Sequence, residues 1–356
     1  MKIAIYSPYL DTFGGGEKYM MTIAEVLAEG SRVDVCLDAH LNGLGGDYLK
    51  SELAKRFNLH LTGVNFIKAP LGGGSNILKR SVFLKKYDLL FYLTDGSIFY
   101  PTAKKNILHI QSPLIGQPAR SIWGKIKLKG WDLIIYNSLF TKENSHRNWP
   151  LKSEVIYPPV DVSNIRPLKK KKYILSVGRF FGYLKDKKHG LMIKSFKKIY
   201  NSEELKDWSL HLVGAAGEGD QSYLQELKVM AKDLPINFYP NLGYDELTKL
   251  YGEASIYWHA AGFAENDPTK MEHFGISTVE AMAGGCVPVV IGQGGQIEIV
   301  EDNKSGLLWQ SLDELENLTL KVIRDNSLRQ KMSEAAKVRA ENFNKDKFKQ
   351  KILTLI

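Results

Sequence analysis

Two carboxylates eight positions apart, Glu272 and Glu280, flank a Phe274-Gly275 turn in the segment EHFGISTVEAMAGGCVPVV, from Glu272 to Val290. The pattern is a turn, then a helix, then a buried strand. An ordinary helix–strand connection has no use for a Glu-His-Phe-Gly turn ahead of its helix. The exposed amides of Phe274, Gly275, Ile276 and Ser277 at such a helix start suit a phosphate. Two carboxylates can each accept hydrogen bonds from sugar hydroxyls. Together these chemistries fit a pocket for a nucleotide diphosphate sugar.

A second constellation is SVGRFFGYLKDKKHG, in which Arg179 leaves a strand end and Lys187 follows eight residues later. A nucleotide leaving a sugar gains negative charge. A fixed guanidinium and ammonium can neutralise that charge without a metal. Lys188 competes for the role, and spacing to Phe196 on the following helix favours Lys187. No Asp-x-Asp occurs, and the histidines and two cysteines show no zinc spacing. No metal and no other cofactor is therefore expected. A third candidate is the loop Gly14-Gly15-Gly16 between the first strand and first helix, where backbone can approach a ligand closely. It is not a dinucleotide fingerprint, since no G-x-G-x-x-G occurs in the chain.

Short apolar strands alternating with helical patterns must position these groups, which predicts parallel α/β sheets. The first half gives strands at KIAIYS, RVDVCL, VNFI, DLLFYL, NILHI and DLIIYN. The second gives KYILSVG, WSLHLVG, INFYP, SIYWHA, VPVVI and GLLW. A chain of 356 residues exceeds one core, and Pro158-Pro159 can continue neither a helix nor a central strand. Two Rossmann-like domains are expected, over 1–165 and 166–340, with a helical segment at 341–356.

With its flanks, the Glu272–Val290 segment resembles the donor-binding segment of the retaining glycosyltransferases of family 4. The resemblance covers nearly the whole chain and is most specific from Ile174 to Trp309. It implies the GT-B architecture, a cleft between two Rossmann-like domains, and a last helix returning to the N-terminal domain. The N-terminal domain would bind the acceptor and the C-terminal domain the nucleotide sugar. It implies that Glu272 contacts the transferred sugar, Glu280 the ribose, and that Arg179 and Lys187 hold the diphosphate. The Gly14–Gly16 loop would face donor phosphates and acceptor. The family strand ending in a catalytic-site histidine two residues before proline is matched by NILHIQSP, a departure that puts Gln111 there. Either Gln111 serves, or His109 does so from a shifted register. His189, His259 and His273 read as structural or pocket-lining.

The implied reaction moves a hexose from a UDP- or GDP-sugar, GDP-mannose included, to a lipid-linked or polysaccharide acceptor of a surface glycan. A sugar-nucleotide epimerase and a non-catalytic nucleotide-sugar binder are the competing readings. Gly294 and Gly295 fit either a sugar contact or backbone turning, and the segment ahead of Glu272 reads as a flap over the donor.

Bulk composition, 44% hydrophobic and 24% charged, is that of a soluble globular protein. No apolar run is long enough to span a bilayer, and Cys36 and Cys286 sit in strand-like runs as free thiols, so a cytoplasmic protein is expected. Residues 1–168 hold 21 Lys and Arg against 14 Asp and Glu, and the remainder 27 against 25. Two basic-aromatic stretches, Leu78–Tyr87 and Ala119–Trp131, suit the inner face of an anionic membrane or, more blandly, helices with a solvated face. No nucleic-acid module is present.

Overall fold

The computed structural model describes residues 1–116, 121–201 and 205–356 and divides into two compact units. The first comprises Met1–Pro159 and Asp346–Ile356, the second Val160–Lys345. The break falls six residues before the expected 165. The Val160 amide already bonds to the Phe343 carbonyl at 3.0 Å, which ties residue 160 to the second unit.

In the first unit the chain runs β1 (Lys2–Tyr6), α1 (Gly15–Ala28), β2 (Arg32–Leu37), α2 (Ala39–Leu44), α3 (Gly46–Phe57), β3 (Val64–Lys68) and α4 (Ile77–Leu84). It continues with β4 (Leu89–Leu93), β5 (Lys105–Ile110), α5 (Ile122–Leu128), β6 (Leu133–Tyr136), α6 (Leu139–Ser145) and β7 (Ser153–Val155). The parallel sheet has the order β3-β2-β1-β4-β5-β6-β7. Its inner strands β1, β4 and β6 are almost wholly apolar because both faces are covered. Ile3 and Ile5 face one core with Val33, Phe91 and Ile107. Ala4 and Tyr6 face another with Leu90, Tyr92, Leu108 and Ile134. This is the two-residue alternation of a strand. The short edge strand β7 was not legible in SEV, which has no apolar run.

The second unit runs β8 (Lys171–Val177), α7 (His189–Tyr200), β9 (Ser209–Gly214), α8 (Gln221–Met230), β10 (Ile236–Pro240), α9 (Tyr244–Glu253), β11 (Ala254–His259) and α10 (Ile276–Ala283). Then come β12 (Val287–Ile291), α11 (Gln296–Ile299), β13 (Leu307–Trp309), α12 (Leu312–Arg324) and α13 (Asn326–Ala340). The order β10-β9-β8-β11-β12-β13 again reverses about a central strand. Open parallel sheets bind ligands at the carboxyl ends flanking such a reversal. Here these are the ends of β8 and β11.

The last helix, α14 (Lys345–Leu353), carries Phe348 and Ile352 into the first unit's core. Phe348 meets Tyr19 of α1 edge-on at 5.0 Å. Phe348→Ala should cost about 3–5 kcal/mol in urea unfolding; unchanged stability would remove this helix from the core.

Candidate functional site

The loops after β8 and β11 lie side by side because those strands pair in register, Ile174 with Ile256 and Leu175 with Tyr257. That adjacency brings Lys187 to Glu272. Lys187 Nζ donates to Glu272 Oε2 at 2.8 Å, and His259 Nε2, from the last residue of β11, lies 2.9 Å from the same oxygen. Burial pushes the Glu272 carboxyl up, but Lys187 and His259 outweigh it and hold it well below the usual carboxylate range. Burial likewise lowers Lys187, yet Glu272 and Asp186 leave it net raised. The pair is fully ionised near neutrality.

Of the two candidate lysines, the structure places Lys187 at Glu272 and pairs Lys188 with Glu265. Arg179 is exposed, packs over Phe181 at 5.9 Å, and lies close enough for its charge to oppose that of Lys187. It has no carboxylate partner among the described residues.

The Glu-His-Phe-Gly turn has a backbone explanation. Gly275 has φ +116°, and a Cβ there would sit 2.6 Å from Gln296 Nε2. Only glycine makes this turn without strain. Gly275 O then accepts from Thr278 N and Val279 N, opening α10. The Ile276 and Ser277 amides fall in that first turn, where a helix leaves amides without an intrahelical acceptor. The Phe274 side chain is buried edge-on against Phe343, at 5.5 Å, so it anchors the turn instead of facing a ligand. Glu280, one helical turn into α10, accepts from buried Tyr251 at 2.9 Å. Ser277 Oγ is bonded to Tyr257 at 2.8 Å.

Gly294 and Gly295 resolve toward backbone turning. Gly295 N donates to Glu272 O at 2.7 Å, and a Cβ on Gly294 would lie 2.3 Å from that same carbonyl. The two glycines clamp the main chain of Glu272. The segment before it, expected as a flap, is a series of turns at Ala260–Phe263, Gly262–Glu265 and Asp267–Lys270, with Glu265 tied to Lys188.

In the first unit, Gly14 N and Thr12 Oγ1 both donate to Glu17 Oε2, at 2.8 and 2.9 Å, closing the glycine loop on itself. Gly16 is required by a neighbour, because a Cβ there would lie 2.0 Å from Gln111 Oε1. Gln111 therefore abuts the Gly14–Gly16 loop. His109 does not. It is fully buried, stacks on Tyr19 at 4.0 Å, and its Nδ1 lies 3.2 Å from Ile135 O. Burial drives it down to about 3, so the ring is neutral and packed in the core, away from the loop that Gln111 borders. His189 is likewise buried against Phe180. His273 is bonded to Thr269 O at 3.2 Å.

His259 is the residue that sequence reasoning undervalued. Its signal was its place at the carboxyl end of the strand next to β8. Among the described residues no group of three or more His, Cys, Asp or Glu could hold a metal ion.

The lowered Glu272 stabilises the fold above the 4.5 of a free glutamate, and that contribution disappears as pH falls through the folded value. Glu272→Gln should therefore flatten the acid limb of a stability–pH curve; an unaltered limb would mean the carboxylate is not held by its two partners.

A family model, glycosyl transferases group 1, matches residues 162–339. A mouse GDP-Man:Man(3)GlcNAc(2)-PP-Dol alpha-1,2-mannosyltransferase is 30% identical over 201 residues, covering 51% of this chain and 39% of its own length. The human alpha-1,3/1,6-mannosyltransferase ALG2 is 25% identical over 246 residues, 62% of this chain and 57% of its own. This chain thus spans less than half the length of the first of these relatives. Among solved structures, a glycosyltransferase from Rickettsia africae superposes with TM-score 0.75 at 18% identity, over 99% of this chain and 97% of its own. The Anabaena protein HepE in complex with UDP and glucose gives 0.69 at 18%, over 100% and 99%. The two parallel sheets thus share the GT-B fold of these structures. Because the family model covers half of the chain, including Arg179, Lys187, Glu272 and Glu280, the chain belongs to the glycosyl transferases group 1 family.

Proposed function

We propose that this chain is a retaining glycosyltransferase of family 4 that moves a mannosyl group, or another hexose, from a GDP- or UDP-sugar to a lipid-linked or polysaccharide acceptor. The observation that carries this reading is the Glu272 carboxylate, gripped by Lys187 and His259 beside the N-terminus of α10. Mannose from a GDP donor is favoured by the names of the mannosyltransferase relatives. The second unit would bind the donor and the first the acceptor. An epimerase or a silent binder has no comparable support.

In this reading the bond from sugar C1 to the donor phosphate breaks, and the acceptor hydroxyl bonds to C1 on the same face. The acceptor proton passes to the departing phosphate oxygen. Arg179 and the two Lys187 protons not committed to Glu272 face the charge that develops there. That chemistry needs no metal. Glu272 orients the sugar through its hydroxyls, and Glu280 holds the ribose. Gln111, beside the glycine loop, hydrogen-bonds the acceptor side.

Glu272→Ala should nearly abolish transfer while nucleotide affinity persists, and Lys187→Ala should slow turnover about 10²–10³-fold. Turnover like wild type in Glu272→Ala would remove that residue from the mechanism. A thermal-shift screen of GDP- and UDP-sugars identifies the donor through stabilisation by binding. Nucleotide release with and without an acceptor extract separates transfer from epimerisation.

No helix among the described residues is long and apolar enough to cross a membrane. Peripheral contact is proposed instead. Residues 75–131 hold ten Lys and Arg against two Asp, more than the whole excess of the first half. Exposed Ile77, Leu78 and Val82 on α4, with Ile122, Trp123 and Ile126 on α5, stand among these lysines. Loop 99–102 links α4 to the turn that follows α5: Thr102 Oγ1 donates to Ser81 O at 2.7 Å, and Phe99 O accepts from Trp131 Nε1 at 3.1 Å. Ala119 and Arg120 of the second basic stretch lie outside the described residues. Such a face suits anionic lipid at the inner surface of a membrane. Sedimentation should show binding to anionic vesicles that weakens with salt; equal binding to neutral vesicles would exclude this charge mechanism.

A further inference from the structure

Arg80 is a half-buried cation with no carboxylate partner among the described residues. It sits on α4, and its Nη1 donates to Ser75 Oγ at 3.1 Å. Its guanidinium lies over the Phe99 ring at 4.9 Å, and its Nε is buried without a hydrogen-bond partner. Burial lowers its proton affinity, and the titratable groups around it, the phenols of Tyr6 and Tyr92, are themselves kept neutral by burial. Tyr6 ends β1 and Tyr92 is the penultimate residue of β4, the two strands at the reversal of the first sheet. The nearby acids are already engaged. Asp38 accepts from Tyr6 OH and Leu41 N, and Asp95 from Ser97 N and Tyr9 OH.

Withdrawing a guanidinium from water without a counter-charge is unfavourable, and an incoming anion removes that penalty. The planar fork of arginine matches the oxygens of a phosphate. Beside Ser75 lies the loop Gly72-Gly73-Gly74; at Gly73 and Gly74 even an added Cβ would meet nothing within 4 Å. The same helix that carries Arg80 inward displays Ile77, Leu78 and Val82 to solvent. An anion seat and an apolar strip thus share one eight-residue helix.

We propose that Arg80, with Ser75 and the Gly72–Gly74 loop, seats the phosphate or diphosphate of a lipid-linked acceptor whose apolar chain runs over α4. This rests on the glycosyltransferase reading and specifies its acceptor. The test is calorimetric titration of the full chain, saturated with GDP and UDP to fill the nucleotide site, with inorganic pyrophosphate and with farnesyl diphosphate. Both should bind wild type, farnesyl diphosphate more tightly. Both should weaken about tenfold or more in Arg80→Gln, which keeps a donor toward Ser75 but loses the charge.

Arg80→Lys, with the charge but not the fork, should fall between the two and covers the case in which Arg80→Gln fails to fold. Wild-type affinity in Arg80→Gln, or no binding to wild type, overturns the seat. Equal affinity for the two probes overturns the lipid strip and leaves a site for free phosphate chemistry. Nucleotide release from the donor with an acceptor extract tests the transfer reading by itself; if wild type releases none, that reading fails while the titration still decides Arg80.

Discussion

The contact on which the second unit is organised is the ion pair between Lys187 and Glu272. The two residues are 85 positions apart in sequence and meet because β8 and β11 are neighbours in a parallel sheet. A pair taken from water contributes little net stability, since desolvation offsets its Coulomb attraction. What it provides is position. His259 fixes the shared oxygen from a third direction, and Gly294 and Gly295 clamp the main chain behind it. In the proposed transfer, a carboxylate restrained in this way would lose little entropy on meeting a sugar, and a lysine already aimed would need no reorganisation as charge develops.

The surrounding architecture follows from that constraint. Gly275 must adopt a left-handed conformation so that the chain can leave Glu272 and immediately open α10. Phe274 pays the entropy of this turn by burying its ring against Phe343. Tyr257 and Tyr251, on β11 and α9, reach across to Ser277 and Glu280. Helix, strand and turn are cross-linked by side-chain hydrogen bonds where backbone pairing alone would leave the loop free to move.

The first unit uses the same sheet logic with different chemistry at its strand ends. Its glycine loop is closed by Glu17 and pressed against Gln111, whereas unit 2 has an exposed Arg179 and a Lys187–Glu272 pair. Its ends of β1 and β4 gather tyrosines, engaged carboxylates and the uncompensated Arg80. In the proposed reading this division gives the anionic nucleotide to the second unit and the acceptor to the first.

Strand positions, the two-sheet organisation and the Glu-His-Phe-Gly turn were legible in the sequence because each is encoded locally. Apolar runs such as VPVVI fit only a sheet covered on both faces, and the glycine of EHFG marks a turn that side chains resist. The choice between Lys187 and Lys188 rested on weak spacing, and strand pairing settled where each one points. The parity of β5 put His109 and Gln111 on one face, and only the packing of Tyr19 and Gly16 showed which is core and which borders the loop. Arg80 carried no local signal, and that of His259 was only its place at the end of a strand whose neighbour the sequence does not name. Their significance lies in what is near them and what is missing around them, and a linear chain specifies neither until the sheet has brought distant strand ends together.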